Sequence, residues 1–169
     1  MKTINQFLKK SVLILFLVVF SNILNAQINR QEQSMWCWAS CIQSSLYQAN
    51  VNVSQASVVS RLVGWPQNRP ASTLEVMNVL RSYNFKASAV NYPANPQQLY
   101  NTLLSGWKVI AFVNPTNNPE VGHFILLQGI AQNGSIIVSD PTYGNTYRQN
   151  INDLYYGWKW SQSIVVGTP

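Results

Sequence analysis

The sequence predicts an α+β domain in which a helical N-terminal half packs on a C-terminal antiparallel sheet. Three observations predict it. Apolar residues recur at helical spacing through residues 35–104, with capping residues at the starts of the segments. Beyond residue 108 the pattern changes to short β-rich runs separated by turn residues. Asn133-Gly134 between two of those runs is a strong hairpin signal, which makes the neighbouring strands antiparallel.

The chain of 169 residues opens on a segment that reads apart from the rest. Lys2, Lys9 and Lys10 give a basic start, residues 11–20 (SVLILFLVVF) are almost wholly apolar, and Ala26 is a small residue ahead of polar QINRQEQ. That order describes a secretory signal over residues 1–26. A membrane anchor is the competing reading, but a spanning helix needs roughly 20 apolar residues, and Ser21 and Asn22 interrupt the run early. The expectation is a secreted chain, periplasmic or extracellular, with no stable membrane association after signal removal. Residues 27–169 then form one domain, ample for one core and short for two.

The whole chain carries 11 Lys and Arg against 5 Asp and Glu. Three of the basic residues lie in the signal, which leaves eight against five, about +3. They are dispersed and form no stripe, so nucleic acid is not an expected partner. With a single histidine and no clustered acidic residues, neither a metal site nor a cofactor is expected. No glycine-rich phosphate loop is present either.

The elements follow in order. Residues 35–48 (MWCWASCIQSSLYQ) predict a buried helix with Cys37 in its first turn. Ser54 caps QASVVSRLV, which stops at Gly64-Trp65-Pro66. Ser72 with Glu75 three residues later is a capping box before TLEVMNVLRSY. A short strand at residues 86–91 precedes a helix after Pro96 (QQLYNTLLS), and the strands KVIAFVN, HFILLQGIA, SIIVSDP and SQSIVVG follow. Most of Trp65, Trp107, Tyr143, Tyr155, Tyr156, Trp158 and Trp160 are expected in the core, with lining of a cleft as the other use.

Two cysteines in an exported chain ordinarily suggest a disulfide. Cys37 and Cys41, however, are four apart in one helix, with nearly parallel Cβ vectors, which suits a bridge poorly. One reactive thiol and one buried thiol are expected instead. A helix start stabilises a thiolate, which marks Cys37, although a buried structural cysteine is the commoner fate of such a residue. His123 is the only histidine and opens a strand after a long loop. It is the available base for a thiol, against the bland reading of a surface histidine.

Asp140 ends the next strand. The hairpin at Asn133-Gly134 brings it towards His123, given a bulge or tilt, where a carboxylate would fix the imidazole tautomer. As Asp before Pro141 it also suits a turn start. Gln31, six residues before Cys37, is a candidate oxyanion donor beside the Cys37 amide, and Gln33 competes with it.

With these residues in view, residues 31–40 (QEQSMWCWAS) resemble the Gln-to-Cys-Trp segment of papain-like cysteine peptidases. GHFILL at 122–127 and SDPTYG at 139–144 resemble the His-Phe and Asp-Pro segments of the double-glycine bacteriocin-processing peptidases, and CWAS is also similar to staphopains. The resemblance spans nearly the whole mature chain. It implies a papain-like fold and a cysteine peptidase acting on a peptide or protein, with Cys37 as nucleophile, His123 as base, Asp140 as orienter and Gln31 in the oxyanion hole. Departures are Asp in place of papain's Asn, a shorter chain, and only four residues between the signal and Gln31, which leaves no room for an inhibitory propeptide. Two other readings stay open. One is another acyl-transfer enzyme, such as an amidase, deamidase or transglutaminase; the other is a silent binding module on the same shell.

Overall fold

A computed structural model describes residues 28–91, 93–116, 118, 122–167 and 169. The expected signal at residues 1–26 lies outside them. Among the described residues no helix is long and apolar enough to cross a membrane.

Helix α1 (Cys37–Gln48) buries Trp38, Cys41, Ile42 and Leu46, the spacing that one apolar face requires. Helix α2 (Gln55–Val63) starts where Ser54 accepts from the Ser57 amide and stops at Gly64, whose φ of 85° is the left-handed turn glycine tolerates best. Helix α3 (Thr73–Ser82) has both hydrogen bonds of the Ser72–Glu75 capping box. After β1 (Ala87–Val90), Asn95 caps α4 (Pro96–Leu104) with proline at its first position.

The remaining strands are β2 (Lys108–Val113), β3 (His123–Ile130), β4 (Ile136–Asp140), β5 (Asn145–Gln149) and β6 (Gln162–Val166). A π-helical turn, Asp153–Gly157, precedes β6. They form one antiparallel sheet in the order β1-β6-β2-β3-β4-β5. The expected hairpin is present: Gly134 has φ 80°, and Ala131 donates to the Ser135 carbonyl at 2.8 Å.

The sheet is covered on both faces. Ile110, Phe124, Leu126, Ile164 and Val166 pack with the side chains of α1 and α3. The alternate residues Val109, Ala111, Val113, Ile125 and Leu127 pack with Leu99 and Leu103 of α4, Leu154 and Trp160. Central strands covered on both faces are apolar along most of their length, which is why VIAFV and FILL read as continuous runs. The helices therefore divide between the two faces, α1 to α3 on one and α4 on the other.

The aromatic expectation needs correction. Trp160 is buried, but Trp65, Tyr143 and Tyr156 are exposed and Trp107, Tyr155 and Trp158 lie between. Trp65 and Tyr143 sit in connecting loops, where neither helix nor sheet supplies a surface to cover a large ring. Strand β5 and the π-helical turn are additions the sequence did not announce.

Candidate active site

The start of α1 is held by its neighbours in sequence. Trp36 is the helix N-cap and makes no side-chain capping bond. Its indole instead donates to the Gln67 carbonyl at 2.7 Å, and the Trp38 indole donates to the Arg69 carbonyl at 3.1 Å. The Met35 amide donates to Asn68 Oδ1 at 3.0 Å. Residues 67–69 thus clamp the chain on both sides of Cys37, whose own side of the helix start keeps its first-turn amides free of any side-chain cap. Cys37 is 9% exposed.

Cys41 lies one turn further in, fully buried, with its thiol donating to the Phe124 carbonyl at 3.5 Å. Burial pushes this thiol well up, reinforced by the nearby Cys37 and Asp140 charges. Both cysteines are free, as the helical spacing predicts. Cys41 fastens α1 to β3, the strand that begins with His123.

His123 pairs with Val113 at the end of that strand. Its Nε2 is 2.8 Å from Asp140 Oδ1 and 3.2 Å from Thr142 Oγ1. The Cys37 side chain acts on the same ring and favours its protonated form, and with Nε2 committed to the carboxylate, Nδ1 is the nitrogen left for the sulfur. The His123 and Asp140 side chains are 13% and 8% exposed. Burial works against a charged imidazole here, but the hydrogen bonds and charges of Asp140 and Cys37 outweigh it and raise His123 to about 9. Burial likewise opposes the Asp140 carboxylate, and the bonds from His123 and the Thr142 amide (2.9 Å) hold it below its usual range.

Two glycines make this geometry possible. A Cβ at Gly122 would lie 1.9 Å from the Phe112 ring, which in turn packs on Phe124 at 4.9 Å between centroids. A Cβ at Gly144 would lie 2.8 Å from the Arg30 backbone nitrogen. That close approach is the seam between the two halves of the site. The Gln31 amide donates to the Pro141 carbonyl at 2.9 Å, while buried Gln55 holds the Arg30 carbonyl and the Glu32 amide, each at 2.9 Å.

Gln31 is carried beside the site by this seam, but its amide group is turned onto its own loop. Nε2 donates to the carbonyls of Gln33 at 3.0 Å and Ser34 at 2.8 Å. An open cleft of about 500 Å³ is lined by residues 30–34 and Thr142. The structure thus brings Cys37, His123 and Asp140 together and sets Gln31 beside the 141–142 turn in the lining of the cleft. Asn68 was not singled out in the sequence, and Gly122, Thr142 and Gly144 entered only as members of the GHFILL and SDPTYG segments, with no role assigned. No local signal marked Thr142: it comes opposite His123 only when the register Leu126↔Ser139, set by a bulge in the folded hairpin, is continued.

With this geometry in view, comparison with known families is decisive. The sequence pattern of the papain-like cysteine protease family of AvrRpt2 matches residues 20–156. The chain belongs to this family. It is a cysteine-type peptidase with the papain-like fold that its helices and sheet describe. Solved structures with the same fold include the peptidase domain of Streptococcus ComA, a bifunctional ABC transporter of a quorum-sensing pathway, with 15% identity, a TM-score of 0.66, and 85% of this chain and 98% of that one covered. A putative C39-like peptidase from Bacillus anthracis gives 15% identity and a TM-score of 0.65, covering 86% and 96%. A double-glycine-motif protease from an AMS/PCAT transporter, solved with its leader peptide, gives 16% identity and 0.63, covering 84% and 91%. At these identities the likeness is one of fold. Among curated proteins none matches the chain in sequence.

Proposed function

We propose that the protein is a secreted peptidase that cleaves peptide bonds through Cys37, His123 and Asp140. The observation that carries this reading is the His123 ring, bonded through Nε2 to the Asp140 carboxylate at 2.8 Å and favoured in its protonated form by Asp140 and Cys37 together. An imidazole that keeps its proton up to about 9 readily takes the proton of a neighbouring thiol.

The reaction then runs in two halves. The Cys37 sulfur, its proton already passed to His123, attacks the substrate carbonyl carbon as a thiolate. The tetrahedral oxyanion is stabilised by the Cys37 amide at the helix start and by Gln31, which exchanges one of its loop carbonyls for the substrate oxygen. His123 protonates the leaving amine as the C–N bond breaks and a thioester forms. Water, deprotonated by His123, attacks the thioester, and the carboxylic acid product leaves with the sulfur restored. Asp140 holds the ring throughout and carries no proton.

The double-glycine relative was solved with a leader peptide, which supports an extended peptide as the kind of substrate here. Export rests on the basic, apolar and small-residue order of residues 1–26. The test is incubation of the mature chain with a peptide library, analysed by mass spectrometry, beside Cys37→Ala. New termini that disappear in the variant support peptide hydrolysis. Ammonia release or cross-linking with intact chains would replace it with deamidation or transamidation. Recovery of the whole residue 1–26 segment on exported protein would overturn the processing reading.

A further inference from the structure

Thr142 stands apart from the four residues with assigned roles, yet it touches two of them. Its backbone amide donates to Asp140 Oδ1 at 2.9 Å, and its side chain helps hold that carboxylate below its usual range. The hydroxyl oxygen is 3.2 Å from His123 Nε2. With a hydrogen on Nε2, the Asp140 carboxylate and the Thr142 hydroxyl oxygen are both within reach as its acceptors. The backbone of the turn is fixed from both ends, by the Gly144–Asp140 hydrogen bond at 3.0 Å and by the Pro141 carbonyl, which accepts from Gln31. Arg30 leaves no space behind Gly144. A hydroxyl on so rigid a turn has little freedom to point elsewhere.

We propose that Thr142 is a positioning residue whose hydroxyl fixes the Asp140 carboxylate and the Nε2–H tautomer of His123, so that Nδ1 is presented to Cys37. The inference rests on the reading of Cys37 and His123 as nucleophile and base. It goes beyond that reading by adding a fourth group to the hydrogen-bonded chain. Thr142 also lines the cleft beside Gln31, so a direct contact with substrate is the competing role.

The test compares Thr142→Val, which removes the hydroxyl at nearly constant shape, with Thr142→Ser, which keeps it. His123 is the only histidine, so its ring nitrogens can be followed without ambiguity by nitrogen NMR through a pH titration in a Cys37→Ala background. The neutral ring is expected to be protonated on Nε2 with threonine or serine at 142. With valine it should become a mixture of tautomers. In the active chain, valine should lower kcat about tenfold, the scale of one lost hydrogen bond, with KM within about twofold, and serine should restore most of the rate. Melting curves check folding, and Thr142→Ala replaces the valine variant if that one does not fold. An unchanged tautomer with valine, serine as damaging as valine, or a raised KM at constant kcat would overturn the proposal. If no substrate is cleaved at all, the peptidase mechanism fails, while the tautomer measurement still decides the role of Thr142.

Discussion

His123 Nε2 lies 2.8 Å from Asp140 Oδ1 although Asp140 is not its partner across the hairpin. The paired positions are Leu126 with Ser139 and Leu127 with Val138, a register whose continuation sets residue 142 opposite 123. Asp140 therefore reaches the ring along a diagonal, at the point where β4 ends and the chain turns. The same turn aims the Thr142 amide back at the carboxylate. The last residue of one strand and the first of another thus form a partnership that the turn, more than the ladder, holds in place.

That partnership makes the two cysteines chemically unequal. Alkylation of the mature protein near pH 6 should label Cys37 rapidly and leave Cys41 unmodified, as read by mass spectrometry. Cys37 contacts the His123 ring, whereas Cys41 is fully buried with its thiol pushed up by burial. His123→Ala should slow labelling at Cys37 and leave Cys41 as it was. Equal, slow labelling of both would remove the activated-thiol reading.

The oxyanion assignment separates two nearby glutamines. Gln31→Ala should lower kcat/KM by roughly 100- to 1,000-fold, the usual consequence of losing one donor. Gln33→Ala should have little effect, because Gln33 contributes its backbone carbonyl to the Gln31 amide and that carbonyl survives the change. Comparable losses from both variants, or from neither, would rule Gln31 out as the donor.

Much of the fold was legible because its signals are local. Ser54, the Ser72–Glu75 pair and Pro96 each act within one turn of helix, so the sequence carries the whole interaction. The hairpin was legible for the same reason, and it carried His123 and Asp140 to one end of the sheet. The count from the turn called for a bulge or a tilt, and a bulge between Leu127 and Gly129 is present. Strand β5 was hidden because NTYRQ has a single apolar residue, Tyr147, and so no alternation to read; its pairing with β4 makes it a strand.

The site was legible residue by residue but not in its orientations. Spacing from Cys37 nominated Gln31, yet only the folded loop shows its amide turned onto Gln33 and Ser34. The clamp of Trp36 and Trp38 onto residues 67–69 joins positions about thirty apart, which no local pattern encodes. The exposed rings of Trp65 and Tyr143 escaped for a related reason: an aromatic side chain does not announce whether a surface exists to cover it.

Gly144 offers a test of the seam. Gly144→Ala forces a side chain into a left-handed conformation (φ 66°) and brings a Cβ to 2.8 Å from the Arg30 nitrogen. Gly64→Ala imposes a comparable backbone strain (φ 85°) with nothing within 4 Å. Each should lose about 1–3 kcal/mol for the backbone, and Gly144→Ala should lose about 1–3 kcal/mol more for the clash. Only the Gly144 variant should also lose kcat, since its turn carries Asp140 and Thr142. Urea midpoints and turnover measured on both variants check this, and equal losses would show that the Arg30 contact yields easily.

The charge states set a pH window with a definite sign. His123 is raised in the folded state from 6.5 to about 9, so the stability it contributes is fully present below 6.5 and disappears as pH rises through 9. Asp140 is lowered from 3.8, so its contribution is present above 3.8 and disappears as pH falls through its folded value. Unfolding free energies measured from pH 4 to 10 should therefore fall between 6.5 and 9 in the parent chain, and His123→Ala should flatten that decline. Activity should decline over the upper end of the same interval, because the imidazolium that protonates the leaving amine is lost as His123 titrates. Stability that falls identically in the His123→Ala chain would mean that another group governs the alkaline arm, and that the ring is not held as an imidazolium between Asp140 and Cys37.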